Sequence, residues 1–189
     1  MLTMEPIQTD RLTIRPFRMD DLDQIHRILD IDLKWEALSL PEREEWLRWA
    51  VLNEFQLARL YQPPYGDRAV TIRDTDTIIG SVGLVPSFGP FDQLAYFKER
   101  PKPHALNRPE IGLFWVLDPA YQGHGFATEA ATALIEYAFG ELHLKQIIAT
   151  TEYTNQRSQA VMHRLGMAIE KNPFPDPPWF QVVGILENV

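Results

Sequence analysis

Between Ile111 and Leu117 the chain carries no polar side chain, and a glycine pair, Gly123 and Gly125, soon follows, ahead of Ala127, Ala130, Ala131, Leu134, Ile135 and Ala138. A strand that is apolar at every residue needs cover on both faces, which places it inside a sheet flanked by helices. The alanines recur at helical spacing and make a small-residue face that can approach a sheet closely. Strand, glycine turn and helix in that order commit the chain to the α/β class with a mixed sheet.

The remaining segments fit that class. Leu12 and Ile14 alternate with polar neighbours over Arg11 to Pro16, a strand that Pro16 confines to an edge or an end. A helix follows, with Asp20 or Asp21 at its cap and Leu22, Ile25 and Leu29 on one face. Pro41 to about Gln62 reads as a longer helix in which Trp46, Trp49, Ala50, Asn53, Leu57 and Leu60 share a face, so both tryptophans are expected in the core. Arg68 to Arg73 and Thr77 to Val85 make a hairpin, with Gly80 and Gly83 marking a bulge or a close approach. Lys145 to Thr151 supplies a further strand, Asn155 caps a helix that Gly166 ends, and Trp179 to Leu186 is strand-like. The expectation is one domain over residues 1–189 with about seven strands and about four helices.

Charge and composition narrow the function. A net charge of −8 repels polyanions and attracts a cationic amine at long range, so nucleic acid is not an expected partner. No run approaches the ~18 apolar residues of a membrane span, and Met1 to Arg18 lacks the apolar stretch of a secretory signal, which leads to an expected cytoplasmic location. The chain has no cysteine, so it can form no disulfide, no thiolate metal site and no thioester on an enzyme sulfur. No metal is expected, and nothing in the sequence marks an oligomer interface.

Gln122, Gly123, His124, Gly125, Phe126, Ala127 and Thr128 stand between the apolar strand and the small-faced helix. Glycines there let the backbone turn sharply and aim successive N–H groups at one point, while the helix N-terminus adds a partial positive charge. An anion, most naturally a phosphate, is the expected guest, although a plain strand-to-helix turn would use the same glycines. The Walker pattern requires Lys and then Ser or Thr after its last glycine, and the dinucleotide fingerprint requires a third Gly or Ala where Thr128 stands.

Gln122 through Ala127 matches Q/R-x-x-G-x-G/A, and the chain resembles the GNAT superfamily of N-acetyltransferases. Thr154, Asn155, Gln156, Arg157 and Ser158, then Val161, Met162, Leu165, Gly166 and Met167, resemble the T-x-N-x-x-S-x-x-V-x-x-x-L-G-M helix of its ribosomal-protein N-terminal (RimJ/RimL-like) branch. Thr9, Asp10, Arg11, Leu12, Ile14 and Arg15 resemble that branch's T-x-R-L-x-L-R start. The resemblance implies acetyl-CoA as the acetyl donor and central strands that splay to admit its pantetheine arm. It also implies a backbone N–H from Trp115, Val116 or Leu117 for the thioester carbonyl, with Asn155 closing the cofactor site. Many members carry a tyrosine near the position of Met162, proposed to protonate the departing sulfur; this chain does not, and Ser158 is the substitute the branch suggests.

Without a cysteine, direct attack by the amine in a ternary complex is favoured over a ping-pong route. At neutral pH an α-amine of pKa ~8 loses its proton for about 1.4 kcal/mol, whereas a lysine of pKa ~10.4 needs nearer 5, so an α-amino group is the easier acceptor. A thiol of pKa near 8.5 leaves readily, which makes the acid role the less demanding one. Glu110, at the head of the apolar strand, is the candidate base, acting directly or through water, with apolar neighbours expected to raise its pKa. His104 and His143 are weaker candidates. Pro86 to Pro109, with Phe88, Phe91, Tyr96 and Phe97, is longer than a hairpin connection needs and reads as a lid or wall over the acceptor. Trp35, Phe91, Tyr96 and Trp179 are its expected acceptor contacts. The leading reading is thus an acetyl-CoA-dependent N-acetyltransferase of a primary amine, with a protein or peptide N-terminal α-amine as the favoured acceptor. The alternatives are an acetyltransferase of a small-molecule amine, a CoA-binding sensor without chemistry, and a nucleotide-phosphate module.

Overall fold

The computed structural model describes residues 4–189, which fall into two compact units, each assembled from two chain segments. The first takes residues 4–84 with Trp115–Leu134, and the second takes Val85–Phe114 with Ile135–Val189.

In the first unit, β1 (Ile7–Gln8), β2 (Leu12–Pro16), β3 (Gly66–Ile72) and the opening part of β4 (Ile78–Gly89) are antiparallel neighbours in that order. The alternation read in β2 is real, since Leu12 and Ile14 are fully buried. Arg15 is buried as well, because its guanidinium is taken up by Asp21 at 2.8 Å and Asp76 at 2.9 Å. Asp21 therefore serves Arg15 and the Arg18 N–H and does not cap the following helix by side chain, contrary to expectation. That helix, α1 (Leu22–His26), continues as a π-helical turn over Arg27–Asp32 and buries Ile25, Ile28 and Leu29. The bulge expected near Gly80 is present, with the register shifting between Val70 and Thr71 opposite Gly80 and Ile78.

The second helix, α2 (Leu40–Arg59), begins with a capping box between Ser39 and Glu42 and carries Pro41 in its first turn. Its buried face differs from the expected one. Arg43, Leu47, Leu57 and Ala58 point inward, whereas Trp49 and Leu60 are 56% and 66% exposed. The reason is electrostatic: Arg43 reaches the buried Asp30 carboxylate, which it grips with two bonds of 2.8 Å, and that contact turns the Arg43 and Leu47 side of the helix inward. Trp46 keeps a partly buried place, edge-on to Phe17 and under the Arg43 cation.

The second unit orders its strands β5-β6-β8-β7, from β5 (Arg108–Leu117), β6 (Gln146–Thr151), β7 (Ala168–Lys171) and β8 (Val182–Glu187). β5 and β6 are parallel, meeting at Gly112 and Ile148, while β8 is antiparallel to both β6 and β7. Phe91, Leu94, Ile148, Phe180, Val183 and Ile185 form its core. β4, β5 and α3 (Phe126–Gly140) each run from one unit's residues into the other's. With α4 (Gln156–Arg164), the described residues hold eight strands and four α-helices in a mixed α/β fold. The eight strands include two short ones that no segment of the sequence announced, β1 and β7, with too few residues to show a period. No helix among the described residues is long and apolar enough to cross a membrane.

Candidate functional site

The glycine loop belongs to the first unit and is built from the end of β5 outward. Asp118, buried to 3% exposure, accepts the Ala120 N–H at 2.8 Å on one oxygen and the Arg27 guanidinium at 2.8 Å on the other. With Pro119 fixing the first φ, this turns the chain through a short 3-10 segment, Pro119–Tyr121. The Gln122 side-chain amide then reaches back and donates to the Leu117 carbonyl at 2.9 Å, so the first motif residue latches the loop to the strand it leaves. Gly123 and Gly125 follow with φ of +81° and +84°, a backbone that L side chains rarely adopt. A Cβ placed on Gly123 would meet nothing within 4 Å, so that side of the loop is open.

α3 starts at Phe126, and its first turn closes through the Glu129 N–H onto the Gly125 carbonyl at 3.0 Å. The N–H groups of Phe126, Ala127 and Thr128 fall before any intrahelical acceptor and lie at the positive end of the helix dipole. A glycine loop that opens into a helix start is an arrangement of the kind phosphates bind. The expected helix face is also there, with Ala130, Ala131, Leu134, Ile135 and Ala138 buried. Trp115 to Leu117 and Gln122 to Thr128 are thus contiguous, as the sequence suggested. Trp35 lies in the same unit as an exposed side chain between α1 and α2.

The second unit gathers the other residues. Glu110 heads β5 beside a pocket of about 420 Å³ lined by Pro86, Arg108, Ile111, Leu144, Lys145 and Gln146 among others. Its neighbours are not the apolar ones expected. Oε1 accepts from Arg108 at 2.6 Å and Oε2 accepts from the Gln146 amide at 2.5 Å, and the side chain is only 8% exposed. Each carboxylate oxygen keeps a second lone pair for water or an amine. Arg108 and Gln146 were not singled out from sequence; only the parallel pairing of β5 with β6 brings Gln146 to Glu110, and no local pattern announces it.

Asn155 caps α4 as expected, its Oδ1 accepting from Ser158 N–H at 3.1 Å. Ser158 is half-buried beside it. The aromatic segment after β4 is less of a lid than its prolines suggested. β4 itself extends to Gly89, and Phe91 and Leu94 are core residues with no exposed surface. Phe91 packs edge-on against Phe97 at 5.5 Å and Phe180 at 5.3 Å. Its aromatic character therefore serves folding, which corrects the expectation that it faces an acceptor. Tyr96 and Trp179 do reach the surface, at 37% and 48% exposure. Of the two histidines, His104 lies exposed near Asp176, and His143 follows α3 with φ of +50°. Among the described residues no three His, Asp or Glu side chains converge to hold a metal.

A family model described as an acetyltransferase (GNAT) domain matches residues 11–168. An uncharacterized N-acetyltransferase of Bacillus subtilis strain 168, YnaD, is 32% identical over 168 residues, covering 87% of this chain and 83% of that protein. Among solved structures, the ribosomal-protein-S5-alanine acetyltransferase of Vibrio fischeri superposes with a TM-score of 0.67 at 17% identity, over 98% of this chain and 97% of the other. The ribosomal L7/L12 α-N-protein acetyltransferase RimL, solved in complex with coenzyme A, gives 0.66 at 15% identity over 96% of each chain.

Proposed function

The chain belongs to the GNAT family of acetyltransferases, and from that membership we propose that it moves the acetyl group of acetyl-CoA onto a primary amine, the α-amine of a protein or peptide N-terminus. The observation that carries this reading is the loop from Gln122 to Thr128, with two positive-φ glycines opening directly into the first turn of α3. The residues fit the group. A pyrophosphate needs several N–H donors and no side chain in the way; the first turn of α3 offers the donors and Gly123 the open side. The cofactor contacts are then Gln122 through Thr128, the β5 backbone over Trp115, Val116 and Leu117, and Asn155 with Ser158 from α4, within one catalytic domain spanning residues 1–189 and acting in the cytoplasm.

Acetyl-CoA supplies an activated thioester; the chain supplies position and proton handling. A β5 backbone N–H stabilises charge on the carbonyl oxygen, a preorganised donor worth about 3 kcal/mol of barrier. Glu110 takes the amine proton through a free lone pair, directly or by way of water in its pocket. Ser158 would relay a proton to the sulfur: its hydroxyl donates to the departing thiolate while accepting a replacement proton from solvent, so that CoA leaves as the thiol. The negative surface favours a cationic acceptor over a polyanionic one. The α-amine class also accords with the names of the two ribosomal-protein acetyltransferases that share the fold.

The test is thiol release from acetyl-CoA with N-terminal peptides, free amino acids, polyamines and aminoglycosides as acceptors. Turnover with peptides above the other amines supports the reading. Turnover confined to polyamines or aminoglycosides moves the protein to small-molecule acetylation, and tight CoA binding without thiol release to any amine makes it a sensor.

A further inference from the structure

The first turn of α3 carries a carboxylate, Glu129, one turn beyond the glycine loop. A pyrophosphate seated at that loop would meet a like charge there. The opening segment of the chain answers it. Thr9 Oγ1 donates to Glu129 Oε1 at 2.6 Å, and the Arg11 backbone N–H donates to the same oxygen at 3.1 Å. The Arg11 guanidinium takes the other oxygen, with Nε at 2.7 Å and Nη2 at 2.5 Å. Its remaining nitrogen, Nη1, donates to the His124 carbonyl in the loop at 3.1 Å, and its carbon lies 4.4 Å from the centre of the Phe126 ring. A Cβ on Gly125 would come within 3.6 Å of the same guanidinium. One side chain thus touches the loop carbonyl, the first helical ring and the carboxylate of the first turn.

Burial works against ionising Glu129, but the bonds from Thr9 and Arg11 outweigh it and hold the carboxyl below its ordinary range. The carboxylate is therefore charged at neutral pH, and only Arg11 cancels it from these partners, since Thr9 is neutral. Holding strand to helix needs hydrogen bonds alone; the charge on Arg11 matters for an anionic guest.

We propose that Arg11 is a positioning residue for acetyl-CoA: through Glu129 and the His124 carbonyl it fixes the glycine loop and cancels the negative charge that would oppose the pyrophosphate. This rests on reading the Gln122 to Thr128 loop as the pyrophosphate site. Two predictions separate it from a purely structural tie. Removing the cation leaves Glu129 facing the phosphates, and removing both charges relieves most of that penalty.

The experiment is calorimetric titration of coenzyme A into the full chain, its Arg11→Ala, Arg11→Lys and Glu129→Gln variants and the double variant Arg11→Ala/Glu129→Gln, at low and high salt. Melting curves of each check that it is folded. Arg11→Ala should weaken binding about tenfold, and added salt should shrink that deficit. The double variant should return to within about threefold of the parent. Arg11→Lys should fall between, because an ammonium keeps the charge but cannot span carboxylate and carbonyl as the fork does. Binding by folded Arg11→Ala within about twofold of the parent, or a double variant as weak as Arg11→Ala, overturns the proposal. Should Arg11→Ala fail to fold, Glu129→Gln decides: affinity equal to or above the parent's upholds the role of charge, and a tenfold loss refutes it. Failure of the underlying reading looks different, since the parent itself would then bind no coenzyme A, or Gly125→Val would bind it as well as the parent.

Discussion

Gly80 in β4 and Val116 in β5 pass so closely that a Cβ on the first would overlap the carbonyl oxygen of the second. Leu117 Cα would be 2.9 Å from the same atom, and the residue just after β5 is fixed here too, with Asp118 N–H donating to Ile79 O at 2.9 Å. Both neighbours are backbone and cannot swing away. Gly80→Ala should therefore cost about 1–3 kcal/mol of stability and displace the strand end from which the glycine loop springs. Urea unfolding measures the first effect and coenzyme A affinity the second. An unchanged midpoint would mean that β4 can shift without disturbing β5.

Gly123 makes the opposite case. Its φ of +81° strains any L side chain, yet an added methyl would touch nothing in the protein. Gly123→Ala should lose only about 1–2 kcal/mol of stability. If the open side of the loop receives the phosphates, as proposed, coenzyme A affinity should fall by tenfold or more, because the methyl occupies that side. Stability and binding falling together in small measure would argue that the loop is only a turn.

Asp67, partly buried in β3, gives the fold a definite pH dependence. Burial pushes its carboxyl up from 3.8 to about 6; the Glu36 carboxylate adds to the rise and the Arg43 cation opposes it. A raised carboxyl pKa means that the folded state holds the proton longer than the unfolded chain. The contribution is absent below the unfolded pKa, grows as pH climbs from about 4 to 6, and stays as a constant penalty above that, on the order of 2–3 kcal/mol. Asp67→Asn should therefore match the parent near pH 4 and exceed it by a growing margin up to about pH 6, with a plateau beyond. A margin that is flat with pH would show that Asp67 titrates normally.

What the sequence made legible was local. The apolar run of β5, the small-residue face of α3, the Asn155 cap and the glycine loop all depend on neighbours within a few residues, and all stand where periodicity put them. Contacts between distant segments left no such trace. Glu129 and Arg11 are 118 residues apart, and Glu110 meets Gln146 across 36. The same limit explains the error at α2. Its hydrophobic pattern suggested one face, but a buried Asp30 thirteen residues before Arg43 decided which face turned inward. Phe91 misled for a related reason: an aromatic in a proline-rich stretch looks like a loop residue until Phe180, far along the chain, closes over it.

Glu110 allows a direct kinetic test. If a free lone pair on its carboxylate receives the amine proton, Glu110→Gln should reduce kcat/KM by about a hundredfold on the acid side of the profile and by less where the amine is already neutral. The glutamine can keep one of the two bonds, to Arg108 or to Gln146, so the strand should hold its place. Coenzyme A affinity should not move. Identical profiles for variant and parent would reduce Glu110 to a bracket between β5 and β6.

The segment after β4 divides into an anchor and a surface, and its variants should divide likewise. Phe91 contributes a fully buried ring to the core with Leu94 and Phe180, so Phe91→Ala should cost about 3–5 kcal/mol of stability whatever the acceptor. Tyr96 is different. Its ring is partly exposed, and burial together with a hydrogen bond to the Glu187 carboxylate pushes its hydroxyl pKa up, which fastens the chain without hiding the ring. Trp179 rests edge-on against Phe180 at 5.4 Å and closes over Gly89, again with an open outer edge. Tyr96→Ala and Trp179→Ala should each cost about 1 kcal/mol or less in stability while raising the acceptor KM several-fold, with the KM for acetyl-CoA steady. Trimming the mostly exposed residues 98–107 and leaving the Phe91 to Leu94 anchor intact separates a wall from an ornament. A wall requires that the trimmed enzyme lose acceptor turnover and keep coenzyme A affinity. If it acetylates its acceptor at the parental rate, acceptor recognition belongs instead to the first unit, where Trp35 stands 64% exposed between α1 and α2.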